Sequence, residues 1–558
     1  MVQNTHKMLS GRRRSFLAIG TAWAALAAGL LSASAAFAQE APVTLAQAQG
    51  TPQPAAASER PQSQVSTFVG SLIPGFQFDG AVNLSETYTT NSYGVAGVNG
   101  QDDWITDGGL ALSMHDHSRR VSFDANYNGQ VYYYARGGQD TQITTNLDAL
   151  ANVIAIPDYL NFIGRAFAQP VILSNSGFAT ASGIGSPNGY RNGYGYSAGP
   201  DITFRLGDFA SSDTLATYGA AYFTQPSGVT NIAPIPGVAG PENTTTRSVM
   251  ETLKSGQDFS RLQWTIIGSF SELDRQQGLF SEKAGIATLQ YAITREFSLL
   301  GTGGYDALHN TIPLTRNVSG PVGMGGIAIN LEDLQFQFQA GTKYNSLSYE
   351  GSLRWNITAT SALSGIATDT VTTPEGQLLN NLSNLTASLN GTLTTPSNIY
   401  ANGTTSSLAS FSTQSLGSLS FNQNITRYQQ ASLSYLLDYE RDHASLTAFF
   451  LKATELSGTF IGSPTSDSWG MMASYAHNIS PLTTGSINAG YTYYQELGGH
   501  SKVYNVGGQI SYQLGLQTGV YFRTDYYKRD SSQALQSLSP FTGGLDDLRL
   551  TVGLSHQL

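Results

Sequence analysis

An all-β fold, a closed antiparallel transmembrane β-barrel with an even number of strands, is what this sequence predicts, on three observations. The final residues alternate: Leu548, Leu550, Val552, Leu554 and Leu558 stand on one side, Arg549, Thr551, Gly553, Ser555 and Gln557 on the other, and only His556 interrupts the apolar row. The same period of two recurs from Gly75 to the C-terminus. Short connections alternate with longer ones, as in membrane barrels, whose two rims are built differently. In hydrocarbon every backbone N–H and C=O needs an internal partner, so a sheet with one apolar face must close, its last strand pairing with its first.

From the N-terminus, Lys7 and Arg12 to Arg14 precede an apolar run from Phe16 to Leu31, then Ala36-Phe37-Ala38 before Gln39, which is the layout of a secretory signal cleaved after Ala38. The alternative, an uncleaved anchor, needs about 20 apolar residues, and this run is shorter. Arg13-Arg14-Ser15-Phe16-Leu17 also resembles a twin-arginine signal, but that route carries folded cargo and a barrel crosses unfolded. Residues 39–74, rich in Gln, Ala, Pro and Ser without periodicity, are expected to form a periplasmic low-complexity tail. The barrel is expected over 75–558.

Along Val121 to Arg136, one face holds Val121, Phe123, Ala125, Tyr127, Gly129, Val131 and Tyr133, and the other Ser122, Asp124, Asn126, Asn128, Gln130, Tyr132, Tyr134 and Arg136. A soluble sandwich rarely needs so long a strand, whereas a tilted membrane strand needs about 9–11 residues within lipid and more beyond it. The pattern repeats with Gln335, Gln337 and Gln339 opposite Leu334, Phe336 and Phe338, and with Arg354 and Asn356 opposite Leu353, Trp355 and Ile357. It returns with Tyr504, Val506, Ile510, Tyr512 and Leu514 against Asn505, Gln509, Ser511 and Gln513. Starting from a periplasmic N-terminus, eleven outer loops, among them 91–103, 176–189 and 226–245, and ten turns, among them His115 to Arg119 and Gly515 to Gln517, join 22 strands. Both mature termini then lie in the periplasm. Three loops are too short to discriminate, so the pattern supports about 18 to 22 strands, with 22 the full count. A long insertion at 373–429 breaks the rhythm; Leu378, Leu379, Leu382, Leu385 and Leu389 suit a short amphipathic helix within it, and the stretch either constricts the lumen or drapes outside.

Composition agrees with an outer-membrane address. Charged residues are 12%, about half of the usual ~25%, while Gly reaches 60 and Tyr 29. With no cysteine, neither a disulfide framework nor thiolate chemistry is available. The precursor carries −10; removing the four positive charges of its signal leaves −14, which argues against nucleic acid as a partner.

Three stretches together resemble one family. Ser85-Glu86-Thr87-Tyr88-Thr89-Thr90-Asn91 is similar to the opening signature of the outer-membrane β-barrel proteins associated with PEP-CTERM/exosortase exopolysaccharide systems, whose members usually carry Asp where this chain has Thr90. Leu353 to Pro374, with Arg354-Trp355, Ser361-Ala362-Leu363 and Thr372-Thr373-Pro374, resembles that family's central repeat, and Ser432 to Phe450, with Tyr439-Glu440-Arg441, its strand pair after the insertion. The resemblance implies a barrel tied to exopolysaccharide production or export, with a polysaccharide chain and the envelope export machinery as partners beside outer-membrane lipids. It supplies no catalytic residue.

The sequence offers little chemistry of its own. His115 and His117 flank Asp116, but no third ligand stands at metal-binding spacing, and solvated turn residues are the better reading. His309, His443, His477, His500 and His556 fall singly, no Gly-x-Ser-x-Gly elbow has a strand-to-helix context, and no phosphate loop is present. No enzyme activity, cofactor or metal is therefore expected. A barrel near 22 strands encloses a lumen too wide for its own side chains to fill. The stretch before Gly75 is too short for a globular plug, so a plugged receptor would need a separate chain. The expected lumen lining is Asp124, Asn126, Asn128, Gln130, Tyr132, Tyr134, Arg136, Gln335, Gln337, Gln339, Arg354, Asn356, Tyr521, Arg523, Asp525 and Tyr527. Such amides exchange hydrogen bonds with sugar hydroxyls at little net cost, and the rings of Tyr132, Tyr134, Tyr521 and Tyr527 could cover the apolar face of a sugar. A polar lining is equally what any water-filled barrel requires. A passive exopolysaccharide conduit, a general or solute-selective porin, and a structural or adhesive surface barrel are the functions to separate.

Overall fold

The computed structural model describes residues 76–92, 102–136, 141–172, 190–224, 243–275, 278–311, 317–372, 426–456, 465–496, 499–532 and 544–558. The signal, the tail and the helix expected inside the insertion lie outside these residues. Every regular element described is a strand: β1 (Phe76–Thr89), β2 (Asp103–His117), β3 (Val121–Tyr134), β4 (Gln142–Ile156), β5 (Leu160–Ile172), β6 (Tyr190–Leu206), β7 (Ala210–Thr224), β8 (Thr244–Ser255), β9 (Leu262–Arg275), β10 (Gly278–Ala292) and β11 (Phe297–Asn310). The series continues with β12 (Val318–Asn330), β13 (Leu334–Lys343), β14 (Ser346–Thr358), β15 (Ser361–Thr372), β16 (Thr426–Tyr439), β17 (Asp442–Glu455), β18 (Thr465–Ser480), β19 (Thr483–Glu496), β20 (Gly499–Gln513), β21 (Thr518–Ser531) and β22 (Leu545–Gln557). β16 begins inside the stretch assigned to the insertion, because Thr426 to Gln430 extend the ladder with Thr368 to Thr372.

The protein is a closed 22-stranded antiparallel barrel, each strand paired with its neighbours in the chain and β1 paired with β22 from Ala81↔Gln557 to Thr89↔Arg549. Short turns gather at one rim and the longer connections at the other. Even at the long-connection rim some links are minimal: Tyr344 and Asn345, both at positive φ (51 and 59), join β13 to β14 as a two-residue turn of the kind that follows strand twist.

The two faces of the wall differ as alternation demands. Outward, Leu84, Val131, Ile143, Ile266, Ile510 and Val552 are exposed, where a membrane would cover them. Aromatic rings gather near both ends of this apolar surface: Tyr88 against Trp104 (5.3 Å) and Trp469 against Tyr491 (5.4 Å) toward the long-connection rim, Phe209, Phe259 and Trp264 (5.3 to 6.1 Å) at the short-turn rim. Amphipathic rings at two levels match the girdles that sit in lipid headgroups.

Besides single-residue register shifts beside short turns, at Ile154/Ile156, Asn356/Thr358 and Asn478/Ser480, the ladder departs from regularity in two further places. Between β6 and β7 the paired positions skip from Ala198↔Tyr218 to Asp201↔Leu215, at Gly199-Pro200. Pro200 has no N–H to give, and a side chain at Gly199 would place its Cβ 1.7 Å from the Ala216 carbonyl oxygen, so only glycine fits the close approach. Between β14 and β15, pairing spans Gly351 to Thr358 against Ala367 to Ser361, leaving Ser346–Glu350 and Thr368–Thr372 without each other. β15 nonetheless stays paired with β16 up to Thr372↔Thr426.

Candidate functional site: the inner wall

Register carries the inward face from strand to strand. On β3, Asp124, Asn126, Gln130, Tyr132 and Tyr134 lie opposite His115, Ser113, Gly109, Asp107 and Ile105 of β2, and Asn128 lies opposite Ala111. On β13, Gln335, Gln337 and Gln339 lie between Asn330, Ala328 and Gly326 of β12 and Arg354, Ser352 and Glu350 of β14. Asn356 continues the β14 row. On β21, Tyr521, Arg523, Asp525 and Tyr527 face Gly553, Thr551, Arg549 and Asp547 of β22. Arg136 is placed differently: it follows the last residue of β3 and stands half-exposed at the rim, paired with Asp102.

Access along this wall is graded. On β13 Gln335 is exposed, Gln337 half-buried and Gln339 3% exposed. On β3 the inward residues Asp124, Asn126, Asn128 and Gln130 are partly exposed, whereas Tyr132 and Tyr134 are buried. On β21 Tyr521 and Arg523 are partly exposed, while Asp525, Tyr527 and Arg529 are buried. All three gradients run the same way, so along these strands the interior is open in its short-turn half and filled in its long-connection half, while on β2, β8 and β11 Ser113, Thr252 and Ser298 are buried even toward the short turns. Three of the four tyrosines suited to stacking on sugar, Tyr132, Tyr134 and Tyr527, lie in the filled half; Tyr521 is in the open half and partly exposed.

The filled half is held by polar bonds and small apolar clusters. At the closing seam Thr89 Oγ1 donates to Asp547 (2.7 Å), Arg549 Nε donates to the same carboxylate (2.6 Å), and the Thr87 and Thr551 hydroxyls meet at 2.9 Å. Ile105 packs with Tyr132 and Tyr134, and Val503 with Tyr527 and Leu545. Across the barrel, Thr302 donates to Gln339 (2.6 Å), Lys343 pairs with Asp306 (3.4 Å), and Tyr344 donates to Asp306. Burial, and then the Asp306 carboxylate, push the Tyr344 phenol in its turn well above the usual range.

Polar pairs also line the wall: Arg523 Nε with Asp525 (2.7 Å) where the filled half begins, and His115 Nδ1 with Asp124 (2.8 Å) in the open half. Ser113 joins the second pair, its Oγ lying 2.7 Å from His115 Nε2. The order Ser–His–Asp is that of a hydrolytic relay, and sequence reasoning missed Ser113 because strand patterning gives no sign of it. The geometry stops short of a nucleophile: Ser113 is 3% exposed and its hydroxyl also lies within donating distance, 2.8 Å, of Asn126 Oδ1. We assign the trio to wall structure. Among the described residues no three His, Cys, Asp or Glu side chains are grouped to hold a metal. What the open half can do chemically is solvate a polar passenger.

No protein-family model and no curated protein sequence matches the chain. Solved structures similar to it include OccAB3 of Acinetobacter baumannii (8% identity, TM-score 0.33, covering 86% of this chain and 99% of that one). OprD of Pseudomonas aeruginosa aligns at 8% identity and TM-score 0.31, covering 86% and 95%. The siderophore receptor PirA of the same species aligns at 9% and 0.36, covering 86% and 80%. At these scores the likeness assigns no residue a role.

Proposed function

We propose that this protein is an outer-membrane conduit that admits a polar, largely uncharged passenger from the periplasm, with an exopolysaccharide as the passenger. One observation carries the conduit: a polar inner face, reachable over the short-turn half, inside a wall whose outer face is apolar. Short turns are periplasmic in outer-membrane barrels, which supports an open half that faces the periplasm. The choice of polymer rests on the resemblance around Ser85 to Asn91, Leu353 to Pro374 and Ser432 to Phe450. Gln335, Asn356, Asn126 and Asn128 supply the neutral hydrogen-bonding groups such a chain would exchange as it slides. Deleting the gene is expected to abolish extracellular polymer while leaving small-solute permeability unchanged; normal polymer secretion in the deletion strain would overturn the assignment.

A porin for small solutes is the second reading, favoured by the burial of Tyr132, Tyr134 and Tyr527, which removes stacking surface from the half a polymer must still cross. Conductance of the purified protein in planar bilayers separates the two. Large steady channels, with polymer secretion intact in the deletion strain, would select the porin.

A further inference from the structure

We propose that the ion pair of Arg427 and Asp369 is a latch holding the outer ends of β15 and β16 folded across the lumen, so that the conduit is closed at its long-connection end and opens when the latch releases. This regulation rests on the conduit reading above.

The ladder comes first. Above Gly351↔Ala367 the wall parts between β14 and β15, while β15 and β16 continue together to Thr372↔Thr426. A hairpin end that remained in the wall would have one face against lipid, as Leu347 (68% exposed) and Val552 (60%) do. Here both faces are covered: Asp369, Val371 and Arg427 on one, Thr368, Thr426 and Tyr428 on the other, all at 7% exposure or less. Val371 packs with Leu273 of β9, Phe280 of β10 and Leu308 of β11. Those strands lie around the circumference from β15, and the three side chains point inward, so the contact crosses the interior.

Arg427 occupies the parting. Its Nε donates to Asp369 (2.7 Å) and its Nη2 to the same carboxylate; Nη1 donates to Ser346 Oγ and Nη2 to the Leu347 carbonyl. The guanidinium therefore satisfies a β14 carbonyl that faces the parting instead of a β15 N–H, and ties the folded hairpin to the strand it left. Gln429 adds a donor to Asp369 at 3.4 Å. The packed surroundings are acid-rich: Glu282, Asp306, Glu350 and Asp369 are balanced by Lys343 and Arg427, with Tyr344 and Tyr349 completing the groups that act on them. Without Arg427, four carboxyls, three of them buried, would share one lysine. Their mutual repulsion and their demand for water both favour swinging the hairpin outward.

The chain has no cysteine, so a single introduced thiol reports cleanly. In full-length protein reconstituted in planar bilayers, Arg427→Gln is expected to convert small or brief currents into steady ones several-fold larger, and Asp369→Asn to do so more weakly. In parallel, Val371→Cys, with Leu273→Cys as a second probe, is treated with a membrane-impermeant maleimide. Cys at 371 should be protected when Arg427 is present and labelled rapidly with Arg427→Gln. Equal labelling with and without Arg427, or unchanged conductance with position 371 protected in both, would overturn the latch. Labelling released by Arg427→Gln in a protein that stays electrically silent would uphold the latch and remove the conduit reading instead.

Discussion

Asp547 closes the seam between the last strand and the first, and replacing it with alanine should be costly for reasons the geometry makes explicit. Its side chain is fully buried; it accepts from Thr89 of β1 at 2.7 Å and from Arg549 of its own strand at 2.6 Å, while Arg549 is itself only 4% exposed. Each hydrogen bond to a charged group contributes about 1.5–3 kcal/mol, and removing one partner of a buried pair costs about 3–5 kcal/mol because the remaining charge keeps its desolvation penalty. Asp547→Ala should therefore lower stability by about 3–5 kcal/mol, and the double variant Asp547→Ala with Arg549→Ala should lose less than the sum of the two single changes. Asp546→Ala is the control: its own carboxylate is exposed on the outward face and accepts from Tyr526 at 3.3 Å. Urea unfolding of vesicle-reconstituted protein, read by tryptophan fluorescence and by the gel mobility of the folded barrel, measures all of these. A loss for Asp547→Ala no larger than for Asp546→Ala would refute the reasoning that the seam is held by this buried pair.

Four further outcomes follow from other parts of the wall. Val552→Arg, on the outward face midway along β22, should destabilise the membrane-inserted barrel by about 2–4 kcal/mol, seen in the same urea titration; an effect near zero would mean that this face is not in lipid. Gly199→Ala should cost at least about 1–3 kcal/mol from overpacking, because its Cβ would meet the Ala216 carbonyl; wild-type stability would show that the strand does not approach so closely. Gln335→Cys should react with an impermeant thiol reagent while Gln339→Cys, four residues along the same row, stays protected; equal rates would dismiss the half-filled interior. A fluorophosphonate probe should leave Ser113 unmodified, and labelling at that hydroxyl would turn a wall contact into a catalytic one.

Much of the architecture was legible from the chain because its determinants are local. A period of two is a property of consecutive residues, and a strand needing lipid on one side and water on the other cannot hide it, so the runs around Val121, Leu334 and Leu548 already show which side chains share a face. Connection lengths, read as turns at one rim and loops at the other, led to 22 strands even where a link such as Tyr344-Asn345 has only two residues. The site was less legible. The inward row of β3 is visible in the sequence, but nothing in it says that Asp124 meets solvent and Tyr134 does not. Arg136 continues the alternation on paper yet lies past the strand, since the ladder with β2 ends at Ile105↔Tyr134. Ser113 gave no sign of its bond to His115, because a serine two positions from a histidine is unremarkable until the strand is extended.

The sequence by itself determined the fold class, the closure of the last strand on the first and the division of each strand into two faces, because hydrocarbon on one side of a pleated ladder admits few alternatives. Only the tertiary structure decided where the interior is filled, why Val371 meets Leu273, Phe280 and Leu308, and how Arg427 comes to bridge the parting between β14 and β15. Those contacts join residues far apart in the chain across a lumen, and which strands face each other there depends on the curvature of the whole cylinder rather than on any local run of amino acids.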